Sequence, residues 1–186
     1  FTNVTDATNS SAHVGTVWGT GAISTEIAPK VHVTNLGGQI LTSIHIDLTG
    51  LKKKSDVGDA IGVDGATGAY FLQYKAVTHG QLYKAEISCL EAPTAASNNL
   101  LDIDVYLHSA IIDYDGDATA SSGIQLIDMN GNNMVLGKTT QNLVTGMSNV
   151  THNNWYLYLA DGATSSAADV FTAGKAVINL YGTVVF

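Results

Sequence analysis

The stretch Asp113-Tyr114-Asp115-Gly116-Asp117 is where this sequence comes nearest to a chemical motif. Three carboxylates stand at alternate positions, and the glycine permits a tight turn. Hard oxygen ligands in that pattern can converge on a calcium ion. An EF-hand would place a bidentate glutamate at the twelfth loop position, but that position is Ile124. What remains is a calcium loop of another kind, built from Asp113, Asp115 and Asp117 and able to draw on Asp128. Against it stands the favoured reading, a solvated acidic turn whose carboxylates bond nearby backbone amides.

The other reactive side chains are scattered. His13, His32, His45, His79, His108 and His152 show no helical i,i+4 pair and no short Cys/His spacing. A hairpin at Gly37-Gly38 would make His32 and His45 cross-strand neighbours. Zinc takes three or four ligands, and the sequence offers no third, so exposed or hydrogen-bonded strand histidines are expected. Cys89 is the only cysteine, which excludes an intrachain disulfide. Within Ile87-Ser88-Cys89-Leu90 it reads as a buried thiol rather than a nucleophile. There is no G-x-S-x-G elbow, and Gly58–Gly68 lacks the lysine and the strand–helix setting of a phosphate loop. Glu26, Glu86 and Glu91 are the only glutamates, all in or beside predicted strands. Nothing in the sequence points to two carboxyls facing across a cleft, as a glycosidase needs. Asn3-Val4-Thr5, Asn9-Ser10-Ser11 and Asn149-Val150-Thr151 fit the N-glycosylation pattern. In a chain this rich in Asn, Ser and Thr such matches arise by chance.

The elements that must position these groups are strands. Ile40, Thr42, Ile44, Ile46 and Leu48 alternate with Leu41, Ser43, His45 and Asp47. Leu101, Ile103, Val105 and Leu107 alternate with Asp102, Asp104, Tyr106 and His108. Trp155, Leu157 and Leu159 alternate with Tyr156 and Tyr158. Period two with one apolar side marks half-buried strands. Val31–Val33, Tyr70–Lys75, Leu82–Leu90, Ile124–Met129 and Lys175–Phe186 read as further strands. Hairpins are signalled at Asn35-Leu36-Gly37-Gly38 and at His79-Gly80, between Tyr70–Val77 and Leu82–Leu90, and a tight turn at Asn130-Gly131-Asn132. Gly50–Gly68, Ala92–Asn99 and Thr139–Asn154 read as long polar loops. One or two helical turns are expected near Val57–Ile61 and Ser166–Phe171, the second capped by Ser166 and ended by Gly174. Eight to ten strands without helix pairs predict one all-β domain over residues 1–186, a jelly-roll-like antiparallel sandwich.

Composition narrows the function. Hydrophobic residues make up 45% of the 186 residues and charged residues 13%, against roughly 25% charged in ordinary soluble domains. Net charge is −8, and all eight basic residues are lysines. Without arginine, and with Lys52-Lys53-Lys54 as the only basic cluster, nucleic acid and anionic membranes are disfavoured partners. No apolar run approaches the ~20 residues of a membrane helix, and no signal-peptide pattern opens the chain. Because Met before Phe is normally retained, residues upstream of Phe1 are expected to be missing from this numbering. Tyr106, Tyr156 and Tyr158 fall on the polar sides of their strands, so alternation predicts exposed aromatics that favour a protein interface or a glycan contact. The last strand is apolar on both faces, with Val177 and Tyr181 opposite Ile178 and Leu180. Such a strand lies centrally in its sheet or is covered by another subunit. Tyr156, Tyr158, Val177 and Tyr181 are therefore the candidate interface residues.

Several segments, taken in order, resemble a family. They are Asn35-Leu36-Gly37-Gly38 before an Ile/Thr-rich strand, Gly58-Asp59-Ala60-Ile61-Gly62, and Cys89-Leu90-Glu91-Ala92-Pro93-Thr94. The block Trp155-Tyr156-Leu157-Tyr158-Leu159 with Phe171-Thr172-Ala173-Gly174-Lys175-Ala176-Val177-Ile178-Asn179-Leu180-Tyr181-Gly182 completes the set. The order is similar to that of capsid decoration (cement) proteins of marine and freshwater tailed phages. That resemblance implies a β-sandwich on the capsid surface of the virion, a homotrimer bound to the major capsid protein, and no catalysis. The chain departs from the pattern at Asn179, where many relatives carry an Ile/Arg strand, so family salt bridges do not transfer. Two other roles compete. One is a tail-fibre or head-surface module that binds host glycans through the tyrosines and the Asp113–Asp117 loop. The other is a jelly-roll enzyme acting on a polysaccharide.

Overall fold

Along Gln39–Asp47 (β2), Ile40, Thr42, Ile44 and Ile46 are buried while Leu41, Ser43, His45 and Asp47 are more open. A pleated strand with one face on a core must alternate this way. The computed structural model describes residues 18–25, 27–96, 101–120, 123–145, 147, 152–162 and 168–184. Its other strands are β1 (Lys30–Asn35), β3 (Lys52–Lys53), β4 (Leu72–Tyr74), β5 (Gln81–Ala95), β6 (Ile103–His108), β7 (Ile124–Ile127), β8 (Thr139–Leu143), β9 (Trp155–Asp161) and β10 (Asp169–Thr183). A four-residue helix, α1 (Ala76–His79), and a 3-10 turn at Thr20–Ala22 complete the elements. Among the described residues no helix is long and apolar enough to cross a membrane.

The strands form two antiparallel sheets. One runs β1-β2-β10-β5-β8, with β3 beside β10, and the other runs β4-β9-β6-β7. The pairing is nested. β2 pairs with β10, β4 with β9, β5 with β8, and β6 with β7. A long antiparallel ribbon has thus been folded at its middle and rolled, which is a jelly roll. The all-β sandwich expected from alternation is what the chain adopts.

The core lies between the sheets. Ile44, Ile46, Ile87, Ile178 and Leu180 from one side meet Leu72, Val105, Leu107, Leu157 and Leu159 from the other, all at most 3% exposed. Burying each such side chain stabilises the fold by about 1.5–3 kcal/mol. Cys89 belongs to this core, as its setting suggested, and burial pushes its thiol pKa up.

Several local expectations are corrected. His79-Gly80 closes no hairpin, because β4 pairs with β9 in one sheet while β5 pairs with β10 and β8 in the other, and β5 runs on to Ala95, into the expected loop. Val57–Ile61 is not helical. Gly58 has φ +92°, and Asp59 and Ala60 form isolated β-bridges to Asp117 and Ala160. Asp169–Phe171 opens β10 instead of a helix, because it pairs with Lys53, Lys52 and Ala95; strand partners from elsewhere outweigh a weak helical tendency. Thr139–Leu143 is strand β8, where a loop was expected. It is a mostly exposed edge strand, so no apolar alternation marks it. Ser166, His13, Glu26 and the three glycosylation-type asparagines lie outside the described residues.

Candidate binding face

The two sheets treat their outer faces differently. Outside the four-stranded sheet, Tyr106, Tyr158 and Ala160 are covered by Ala60, Ala69 and Ala118, with Tyr70 and Ile112 packed alongside. Two loops make this cover. Residues 58–62 and 113–118 exchange backbone hydrogen bonds, among them Ala60 N to Gly116 O at 2.8 Å and Ala118 N to Gly58 O at 2.8 Å. Small side chains let both loops lie close to the sheet. The outer face of β1-β2-β10-β5-β8 carries no such layer among the described residues.

This cover corrects the exposure expected for the tyrosines. Tyr158 is 0% exposed and Tyr106 7%. The Tyr158 hydroxyl donates to Ala110 O at 3.0 Å and accepts from Ile112 N at 2.8 Å, anchoring the loop. Burial pushes both phenols up, that of Tyr106 to about 12. Only Tyr156 stays half open, its ring 4.8 Å from that of Tyr70.

Val177 and Tyr181 lie elsewhere, on the uncovered face. β10 is central, flanked by β2 and β5, one of the two placements that its apolar pattern allowed. Its outward residues Val177, Asn179 and Tyr181 stand opposite His45, Ser43 and Leu41 on one side and Ser88, Glu86 and Lys84 on the other. A polar chain crosses these strands. Ser43 Oγ donates to Asn179 Oδ1 at 2.7 Å, and Asn179 Nδ2 donates to Glu86 Oε1 at 3.0 Å. Tyr181 OH donates to the same Oε1 at 2.6 Å, and Lys84 Nζ lies 3.0 Å from Glu86 Oε2. The Lys84 ammonium also sits 4.6 Å from the Tyr181 ring centroid. Burial pushes the Glu86 carboxyl up, yet the hydrogen bonds from Tyr181, Asn179 and Lys84 outweigh it and hold it below the usual range. Burial and the adjoining Glu86 push the Tyr181 phenol up to about 12. Every member has its partners, so the face is rigid and satisfied before anything docks. Leu143, 71% exposed, borders it on β8, and Leu90, 51% exposed, on β5.

Sequence reasoning placed Val177 and Tyr181 correctly together but missed Glu86, Asn179, Lys84 and Ser43. Their common face follows from the β2-β10-β5 order, which joins residues up to 136 positions apart.

The aspartate loop holds its three carboxylates on different partners. Asp113 Oδ1 accepts from Gly68 N at 2.6 Å, Asp115 Oδ2 lies 3.0 Å from Lys54 Nζ, and Asp117 Oδ1 accepts from Thr119 N at 2.7 Å and Oγ1 at 2.6 Å. Asp115 takes φ +71°, an uncommon backbone that Asp tolerates. Among the described residues no three His, Cys, Asp or Glu side chains are grouped to hold a metal ion. Asp128 accepts from Asn130 N in its own turn. The carboxylates act as local braces, holding the 113–118 loop to Gly68, to Lys54 and to its own next turn at Thr119.

His32 and His45 do meet across β1 and β2, their ring centroids 5.6 Å apart at 85°. His79 is buried against Tyr74, and its Nδ1 lies 3.0 Å from Thr42 Oγ1. Compared with family models, curated proteins and solved structures, the chain matches none.

Proposed function

We propose that this chain is a non-enzymatic virion protein, a capsid decoration protein that binds the outside of an icosahedral phage head and stabilises it. The observation that carries the reading is the asymmetry of the two sheets. One outer face is sealed by the chain's own loops, while the other carries no such layer among the described residues, holds a satisfied polar network and is bordered by exposed leucines. Five strands about 4.8 Å apart, of five to fifteen residues at about 3.3 Å per residue, present on the order of 800 Å² in plan. A standard interface takes about 800 Å² from each partner, so the face supplies about one patch. A jelly roll is common to viral capsid and lectin domains, and fold alone does not choose between them. The sequence resemblance to phage decoration proteins makes that choice here. Partners under this reading are the major capsid protein and two further copies of the chain, repetition on the head adding avidity. An acidic, arginine-free surface keeps such a protein off DNA and anionic surfaces.

The test uses heads of the encoding phage assembled without this protein. The purified chain is expected to co-sediment with them to saturation and to raise the temperature at which they release DNA. Leu90→Glu with Leu143→Glu should weaken binding at least tenfold while leaving the melting temperature of the free protein nearly unchanged. A chain that never sediments with heads overturns the decoration role. Binding that ignores both substitutions overturns the choice of face.

A further inference from the structure

At the Lys30 end of the uncovered face the surface dips into a groove of about 420 Å³. That lies within the roughly 300–1,000 Å³ of small-molecule sites. Ile27, Ala28 and Leu90 give it apolar walls, and Lys30, His32 and His45 give it hydrogen-bond donors. Leu90 and Ile27 are 51% and 46% exposed, so the apolar side is open to a ligand.

The charges in the groove are unequal in their commitments. On β5 and β10, Glu91 and Lys175 pair with each other. On β2, Asp47 Oδ1 accepts from Thr49 N at 2.9 Å, and Asp47 stands opposite Lys175. Lys30 makes no ion pair among the described residues, and no hydrogen bond ties the ring nitrogens of His32 or His45 there. Register places Lys30 directly opposite His45, with His32 on the diagonal. Three donors uncommitted among the described residues therefore share one end of an apolar trough. A cation would meet Lys30 at close range. A dianion would meet Asp47 and Glu91. One negative charge on an apolar body matches both the donors and the walls.

We propose that this groove binds a small amphipathic carboxylate, its anionic head at Lys30, His32 and His45 and its chain along Ile27 and Leu90. Burial, then the neighbouring His32 and Lys30, hold the His45 ring below the usual histidine range, so it is neutral near pH 7. As pH falls and the His45 ring protonates, its repulsion with Lys30 grows, and an anion relieves it. Affinity therefore rises towards acid.

Hexanoate is the probe, followed by backbone-amide and histidine-ring NMR shifts of the full chain. Binding is expected to move the His32 and His45 signals, and to be about tenfold tighter at about pH 6 than at about pH 8. Acetate, which lacks the apolar body, should bind at least tenfold more weakly, and hexylamine should not bind. Lys30→Ala should cost about fivefold. His32→Gln with His45→Gln should abolish the pH dependence while the remaining amide spectrum stays that of the folded protein. Equal binding of acetate and hexanoate, or a pH dependence that survives the double substitution, overturns the proposal. None of these readouts involves capsids, so they stand apart from the decoration test.

Discussion

Two buried side chains set opposite pH responses. Asp104 is 4% exposed and accepts from Met129 N and Gln125 Nε2, both at 2.8 Å. Burial, with Asp102 and Asp128 nearby, pushes its carboxyl up to about 6. The folded state therefore holds a proton that the unfolded chain releases near ~3.9. Its stabilising contribution is complete below that value and is lost as pH rises through about 6. Burial pushes His79 the other way, down to about 4. Its contribution is present above ~6.5 and is lost as pH falls through about 4. Between about pH 4 and 6 the two largely offset each other. Asp104→Asn keeps the shape and the bond from Met129 N without the charge, and its amide NH2 meets Gln125 once that side-chain amide turns to present its oxygen. It should stabilise the protein by about 2 kcal/mol near pH 7 and uncover the acid loss due to His79. Urea unfolding across this range checks both. Unchanged stability at neutral pH would show that Asp104 is already relieved by its two donors.

At the scale of elements, β10 is the strand on which the larger sheet depends. It runs fifteen residues and pairs with β2, β3 and β5. Its close fit to α1 occurs at Gly182, where a Cβ would lie 2.1 Å from His79 O and 3.0 Å from Gly80 backbone atoms. Backbone cannot move aside as a side-chain tip can. Gly182→Ala should therefore cost about 3 kcal/mol, at the upper end of overpacking. Thr183→Ala, at the exposed neighbouring position, should stay within about 0.5 kcal/mol. Thermal unfolding of the two variants separates a tight contact from a general dislike of change in this strand.

Across the whole molecule, the sheets are joined by a charge pair as well as by the core. Lys53, on the strand beside β10, lies 3.3 Å from Asp161 at the end of β9, with side chains 1% and 0% exposed. Attraction in a dry site is offset by the desolvation of both ions. Asp161→Ala leaves an uncompensated buried ammonium and should cost about 3–5 kcal/mol. Lys53→Met with Asp161→Leu should recover most of that loss in chemical denaturation. If the double variant remained as unstable as the single, the pair would be contributing through more than its charges.

The sequence by itself determined what each strand does locally. Alternation in β2, the Asn35–Gly38 hairpin and the buried Cys89 were all legible, whereas β6 and most of β9, expected to be half-buried, are buried on both faces. In that hairpin, Asn35 Oδ1 accepts from Gly37 N at 3.1 Å and, more weakly, from Gly38 N at 3.4 Å. Such features depend on near neighbours and on one buried face. Only the tertiary structure decided which outer face stays open. Tyr158 and Val177 occupy the same kind of outward position, but Ala60 and Ala118 cover one and nothing described covers the other. Pattern along a strand reports that a side chain leaves the core. It carries no record of a loop returning from a hundred residues away, nor of the nested pairing that sets Glu86 beside Asn179.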